Sequence, residues 1–192
     1  GIAIGVAILI LVTSVMNGFE RELKTRILQA IPHASIQGNI NKDEVDGINE
    51  SLMLNSNILG AAPYIETQGL LSSGTYLKGV YIFGVDPQYE KNVSTIENHF
   101  IEGSLDSLQE NSYNLVIGDI LAIQLGLRVG DSVNILVPET ALGLAGILPR
   151  TKKFKITGIF SLGAPEIDQS YVYLNIDNAS KLLRTGEYVH GI

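Results

Sequence analysis

The first sixteen residues of the chain are almost entirely apolar. No charged side chain lies between Gly1 and Met16, and Ile, Leu, Val and Ala fill most positions. A helix that crosses a bilayer needs about 20 such residues, so we interpret 1–16 as the end of a membrane-spanning helix that begins outside this sequence. A secretory signal fits less well, because no basic region precedes the run and no small-residue cleavage site follows it. A buried core helix is the other alternative, since the run is short.

A second helical pattern, residues 17–32, follows directly. Acid-before-base pairs four positions apart, Glu20 with Lys24 and Glu22 with Arg26, support a solvent-exposed face. Pro32 is predicted to end the helix, because the residue before a proline avoids the α conformation. We predict a stalk that connects the span to a folded domain. Its apolar stripe, with a spacing of four, consists of Phe19, Leu23, Ile27 and Ile31.

Residues 33–192 carry short strand patterns mixed with short helical patterns. Two alternating runs flank Ser72, Ser73 and Gly74, which predicts a β-hairpin. Because hairpins and helices replace a regular βαβ alternation, the pattern predicts an α+β fold. The polar stretch 87–110 is expected to form short helical turns and loop and to separate two lobes. The other expected strands are 33–38, 113–118, 132–137, 152–160 and, last in the chain, 171–175, and the expected helices are 43–54, 119–126 and 177–184.

Composition and motifs argue against several classes of function. The net charge of -7 disfavours nucleic acid as a partner, because such binding relies on clustered Lys and Arg. Cysteine is absent, so neither disulfides nor zinc thiolate sites can form. No phosphate-binding loop, GxSxG motif or metal-binding histidine spacing occurs, and 41–53 fails the calcium-loop spacing. We therefore expect a non-catalytic protein without a metal or cofactor, with any ATP hydrolysed by another subunit.

The loop 138–149 is apolar where a loop is normally polar. Pro138 and Pro149 bracket it, and Gly143 and Gly146 argue against a helix or strand. Exposed aliphatic side chains of this kind mark contact sites, although the loop could instead fold back onto the core. The aliphatic residues are Leu142, Leu144, Ile147 and Leu148.

A basic cluster follows this loop in an otherwise acidic chain. Arg150 and Lys152 lie nearest the loop and are the better candidates to contact an acidic partner. Lys153 and Lys155 are expected to face solvent on a strand whose alternate positions, such as Phe154, are buried.

Four segments together resemble the LolC/LolE family, the membrane subunits of the lipoprotein-releasing ABC transporter. They are SVMNGFERELKTRIL, APYIETQGLL, GVDPQ and the VIGD...LG...GDSVNILVP stretch. The resemblance implies a MacB-like periplasmic domain of two α/β lobes on a helical stalk, anchored in the bacterial inner membrane. It also implies extraction of acylated lipoproteins, powered by a separate LolD-type ATPase, and their transfer to a soluble LolA-type carrier.

The resemblance assigns roles to particular residues. The protruding carrier-binding loop of LolC, the Hook, corresponds to 138–149, and the adjacent polar Pad corresponds to Arg150, Thr151 and Lys152. Asn134 departs from the pattern, because a basic Pad residue is expected there. The apolar stripe from Phe19 to Ile31 would couple movements in the membrane to the periplasmic domain.

The subunit type and two rival functions stay open at this point. The front half is closer to LolE and the loop is closer to LolC, so the chain could pair with a sister LolC/LolE-type subunit or form a homodimer as a LolF-type hybrid. A MacB-like efflux or mechanotransmission domain and an FtsX-like regulatory domain would share the fold without binding a lipoprotein carrier.

Overall fold

The computed structural model describes residues 1–30, 34–138 and 149–192, with only the backbone described for 21–30. Helix α1, Ile2–Ala30, is one continuous element that contains both the predicted span and most of the predicted stalk. Its stretch Ile2–Glu20 is long and apolar enough to cross a membrane, and none of it is buried against the rest of the protein.

The folded domain contains nine strands, five further α-helices and two short 3-10 helices among the described residues. The strands are β1 (Gln37–Asn41), β2 (Tyr64–Ser73), β3 (Tyr76–Val85), β4 (Phe100–Glu102), β5 (Asn114–Gly118), β6 (Ser132–Val137), β7 (Arg150–Phe160), β8 (Tyr171–Asn175) and β9 (Tyr188–Gly191). The helices are α2 (Lys42–Met53), α3 (Pro87–Val93), α4 (Asp119–Leu125), α5 (Pro165–Asp168) and α6 (Ile176–Leu183), with 3-10 helices at Ile96–His99 and Leu105–Ser107. Helices and strands are therefore mixed as an α+β fold requires.

Six of these strands close into a ring. In the order β2, β3, β8, β5, β7 and β6, each strand is hydrogen-bonded to the next, and β6 pairs back to β2. Strands β9 and β1 extend the sheet from β2, and β4 extends it from β7. Each strand of the ring is thereby hydrogen-bonded to two others along part of its length, which fixes the positions of the strands relative to one another.

The interior of the ring is the main core. Alternate residues of every strand point inward, so that Leu71, Ile82, Leu115, Ile135 and Phe154 are almost completely buried in one cluster. Helices α2, α4 and α6 add apolar side chains to the same cluster. This arrangement follows from the two-residue period of the strands.

A second apolar cluster covers part of the outer face of the ring. It contains Val116 and Phe160 from the strands, under Ile96, Leu105 and Ile167 from the connecting segments. Strand β7 changes face along its length: Phe154 packs inside the ring, whereas Phe160 packs on its outer face. A register shift in its pairing with β5, between Leu115 and Val116, accompanies this change.

Two expectations from the sequence differ from the structure. The stretch 87–110 forms helical turns, as predicted, but it also contains strand β4, which was not predicted. It lies over the outer face, and the strands before and after it belong to one hydrogen-bonded network. The prediction that 171–175 is the last strand is wrong, because β9 follows and pairs with β1. A strand of four residues whose partner lies about 150 positions away gives little local signal.

Candidate functional site

The predicted carrier-binding loop is held by the antiparallel strands β6 and β7. Their register pairs Val137 with Arg150 and Val133 with Phe154. Pro138 directly follows β6 and Pro149 directly precedes β7, and both prolines are exposed. Residues 139–148, including Leu142, Leu144, Ile147 and Leu148, lie outside the described residues, so their role as a binding loop stays a prediction.

The two faces of β7 differ in burial. Phe154 and Ile156 point into the core, whereas Lys153 and Lys155 are exposed on the outer face. This confirms the alternation predicted for the two lysines. Asn134 is also exposed on the outer face, opposite Lys153. An amide and an ammonium group thus lie side by side where the Pad was expected.

The three predicted Pad residues have different surroundings. The guanidinium of Arg150 donates a hydrogen bond of 2.6 Å from Nη1 to the carbonyl oxygen of Leu183, the last residue of α6. Lys152 places its ammonium 4.0 Å from the centre of the Tyr113 ring. Thr151 is exposed on the outer face. Arg150 therefore has a structural contact that the sequence did not indicate, and its role toward a partner stays a prediction.

The predicted coupling stripe lies on α1. Phe19 is 64% exposed. Leu23 and Ile27 belong to the same helix, but their side chains are outside the described part of the chain, as is all of Ile31. The continuity of the helix through Ala30 is the feature on which a coupling role depends.

Buried ionisable groups elsewhere serve the fold. The carboxylate of Asp168 accepts hydrogen bonds from the backbone N–H of Leu162 (2.8 Å) and of Ala164 (3.0 Å), and burial raises its pKa. Burial also raises the pKa of Glu90, against the opposing effect of a hydrogen bond from Ser94.

The described residues contain no cluster of His, Asp and Glu that could hold a metal ion. A depression in the described surface, with a volume of about 520 Å³, is open and lined mostly by charged side chains. An ion pair of 2.5 Å between Lys42 and Asp177 crosses it. Its charges are therefore at least partly neutralised within the fold.

Comparison with known families adds an independent observation. The sequence profile of the MacB-like periplasmic core domain matches residues 1–192. The chain belongs to this family. Two solved members of the fold agree: the periplasmic region of MacB from Actinobacillus actinomycetemcomitans (17% identity, 81% of this chain and 64% of that chain, TM-score 0.53) and the extracellular domain of the ABC-type transporter YknZ (9% identity, 80% and 71%, TM-score 0.55). At these identities the likeness concerns the fold alone, and it confirms the predicted MacB-like architecture.

Relatives within the MacB-like family have higher sequence identity. The lipoprotein-releasing system transmembrane protein LolC of Xylella fastidiosa is 37% identical over 96% of this chain, and that of Neisseria meningitidis is 36% identical over 100%. The corresponding LolE of Haemophilus influenzae is 34% identical over 95%. The resemblance to LolC and LolE is thereby confirmed. The chain spans about half the length of these relatives, covering 45% or 46% of each.

One apolar surface of this MacB-like domain was not predicted from the sequence. The outer face of β2, β3 and β6 exposes Leu70, Leu77 and Tyr81 beside the strands of the loop. The sequence hint of this surface lies in 66–83, where apolar residues occupy both the odd-numbered and the even-numbered positions. Period two identifies the two faces, but it does not show which apolar face remains uncovered.

Proposed function

We propose that this chain is part of a membrane subunit of an ABC transporter that extracts lipoproteins from the bacterial inner membrane and transfers them to a periplasmic carrier. The supporting observation is the 37% identity to a LolC protein across 96% of the chain. This identity extends over the membrane helix and the folded domain alike. A shared fold would not require such identity, because MacB has the same fold at 17%.

In this proposal the subunit performs no chemistry. A LolD-type ATPase hydrolyses ATP in the cytoplasm, and a sister LolC/LolE-type subunit or a second copy of this chain completes the membrane part. The absence of a phosphate-binding loop from the sequence supports this division of labour.

The energetic task is to remove acyl chains from the bilayer. Each methylene that leaves an apolar environment costs about 0.8 kcal/mol, so a chain of about 15 methylenes costs on the order of 12 kcal/mol. The proposed holding site is the exposed apolar surface of α1 within Ile2–Glu20. Release against such a cost requires movements driven by the ATPase.

Movement would reach the domain through α1. The helix continues from the apolar span to Ala30, past Phe19 and the positions of Leu23 and Ile27. The domain that it leads to is built on a closed ring of hydrogen-bonded strands, which would move as a unit. A continuous helix and a rigid ring together support mechanical coupling.

The carrier would dock at the loop between the end of β6 and the beginning of β7. Pro138 to Pro149 would form the Hook, with Thr151 and Lys152 as the nearest Pad residues. Thr151 and Lys152 are both exposed, so they can be reached by a partner.

Site-specific photo-crosslinking tests this assignment. The full-length subunit, assembled with its ATPase in membranes, would carry a photoreactive residue at Leu144 and be irradiated with the purified carrier. Ile123, which is 78% exposed on α4, is the control position.

A crosslink from Leu144 but not from Ile123 is the expected result. If neither position crosslinks while the transporter still releases lipoproteins, the Hook assignment is wrong and a LolE-type role is the better description. If lipoprotein release is also absent, the lipoprotein function itself is refuted, in favour of a MacB-like or FtsX-like role.

A further inference from the structure

The outer face of the strand ring has two unequal halves. One half, around Phe83, Tyr171 and Tyr173, is covered by the segments between strands, as described above. The other half has no such cover among the described residues. There Leu70 is 40% exposed, Leu77 59% and Tyr81 45%.

These side chains are neighbours by strand register. Leu70 lies opposite Gly79 on β3 and opposite Leu136 on β6. Ser72, two residues further along β2, lies opposite Leu77 and Asn134. Because every second residue of a strand shares a face, these residues form one surface. We call the surface made by Leu70, Leu77, Gly79, Tyr81 and Leu136 the outer apolar face.

Gly79 carries no side chain and so leaves a gap between its neighbours on the outer apolar face, which we call the Gly79 depression. It is exposed, and a Cβ built on it would meet no atom within 4 Å. Leu77 and Tyr81 precede and follow it on the same face of β3, and Leu70 lies opposite. Glycine inside a strand often marks a bulge, a tight bend or the close approach of a ligand or another backbone, and the β2–β3 register is regular around Gly79. Since neither a turn nor a positive φ requires glycine here, the packing of the fold does not explain it.

Basic side chains flank the outer apolar face on one side. Lys153 lies opposite Asn134 on the outer side of β7, and Lys155 lies opposite Ser132. Both lysines are exposed in a chain whose net charge is -7. Strands that carry an apolar patch beside positive charge suit a partner that presents an apolar side chain beside acidic groups.

We propose that the outer apolar face is a second docking surface for the soluble carrier, with an apolar side chain of the carrier in the Gly79 depression and acidic groups of the carrier near Lys153 and Lys155. This inference rests on the proposed function. It adds a surface on β2 and β3 to the predicted Hook and Pad, which lie on 138–152. Continuity supports this occupant, because Leu136 is paired with Thr151 and lies two residues before Pro138.

The test fills the depression without disturbing the fold. Gly79→Tyr places an aromatic side chain where no atom lies within 4 Å, and tyrosine suits a strand better than glycine does. Gly38→Tyr is the matched control, because Gly38 is also an exposed strand glycine at which a Cβ would meet no atom within 4 Å. Carrier binding to the full-length transporter in nanodiscs would be measured together with thermal stability.

The expected result is that Gly79→Tyr weakens carrier binding by about tenfold or more, as blocking a central contact does, without loss of thermal stability. Gly38→Tyr is expected to bind like the unchanged protein. Lys153→Glu is the second variant, and it is expected to slow association most strongly at low salt.

The outcomes separate this inference from the proposed function. If the unchanged protein binds the carrier and both Gly79→Tyr and Lys153→Glu bind equally well, the outer apolar face is not a docking surface, whereas the Hook assignment stands. If the unchanged protein binds no carrier, this inference fails, and lipoprotein release by the same preparation decides whether the proposed function fails with it.

Discussion

Arg150 offers a test that separates a structural role from a binding role. It was predicted to contact the carrier, yet its guanidinium donates to the carbonyl of Leu183 across the end of α6. The last carbonyls of a helix have no partner within the helix, and a positive charge near them is favourable. Arg150→Met keeps most of the apolar stem and removes the charged donor, so it tests what the guanidinium contributes.

The size of the effect follows from the geometry. A hydrogen bond from a charged donor contributes about 1.5–3 kcal/mol, and the favourable charge at a helix end adds about 0.3–1 kcal/mol. Arg150 is only half-buried, so water can partly replace its guanidinium at the Leu183 carbonyl. We expect Arg150→Met to lower the free energy of unfolding by about 1–2 kcal/mol, which corresponds to a fall in Tm of roughly 2–8 °C for a protein of this size.

Two measurements on the same variant are needed. Thermal unfolding of the full chain in detergent gives the loss of stability, and carrier binding at a temperature where the variant is fully folded gives any loss of contact. Lys153→Met is the matched control for stability, because Lys153 is exposed on the same strand. Its Tm should change little, since surface substitutions usually cost less than about 0.5 kcal/mol.

The two readouts can refute the reasoning separately. An Arg150→Met variant with the Tm of the unchanged protein would show that the bond to Leu183 does not stabilise the fold. A reduced Tm with unchanged carrier binding would leave Arg150 as a structural residue and remove it from the predicted Pad.

Three further predictions concern the fold. Leu115→Ala, in the centre of the ring and 0% exposed, should cost about 2–5 kcal/mol in an unfolding titration. Gly118→Ala, whose Cβ would lie 2.1 Å from the carbonyl oxygen of Asp168, should cost about 1–3 kcal/mol, whereas Gly79→Ala should not destabilise. Because burial raises the pKa of Glu90, its protonated form stabilises the fold below its usual pKa of 4.5, and this contribution is lost as pH rises through the raised pKa. Glu90→Gln should therefore gain stability relative to the unchanged protein as pH rises from 4 to 8, and a constant difference would contradict this.

Elements with local signals were predictable from the sequence. The hairpin turn lies at Gly74, with a φ of +58°, and α4 ends at Gly126, with a φ of +63°. Asn175 caps α6 by accepting a hydrogen bond from the N–H of Asp177. A glycine in a left-handed conformation and an Asn at a helix N-terminus act within a few residues of their own positions, so a single sequence shows them.

Elements defined by distant partners were not predictable. Strand β9 was missed, and β1 was predicted at 33–38 although it occupies Gln37–Asn41. Four of the five residues of β1 are Gln, Gly or Asn, which have little strand preference. The register of β1 is set by its pairing with β9 across a bulge. The contact of Arg150 with Leu183 was likewise not predicted, because 33 positions separate the two residues and no local pattern links them.

The candidate site was predictable in part. Exposure of Lys153 and Lys155 followed from strand alternation, since the strand itself was correctly located. The outer apolar face was not recognised, because apolar residues occupy both faces of β2 and β3 and only the closure of the ring decides which set is inside. Closure depends on the pairing of β6 with both β2 and β7, which no local pattern encodes.

The closed ring also bears on how a docked carrier would be oriented. A carrier held by 138–149 alone would be attached at one place, and its direction relative to the domain would depend on that loop. Strands β6 and β7 both belong to the ring, and β6 is hydrogen-bonded on both sides. Contact with the outer apolar face as well would fix the carrier at two places on one rigid body, so a displacement transmitted by α1 would move domain and carrier together. Under the proposed mechanism, Gly79→Tyr should therefore reduce lipoprotein transfer even at carrier concentrations that restore the crosslink from Leu144.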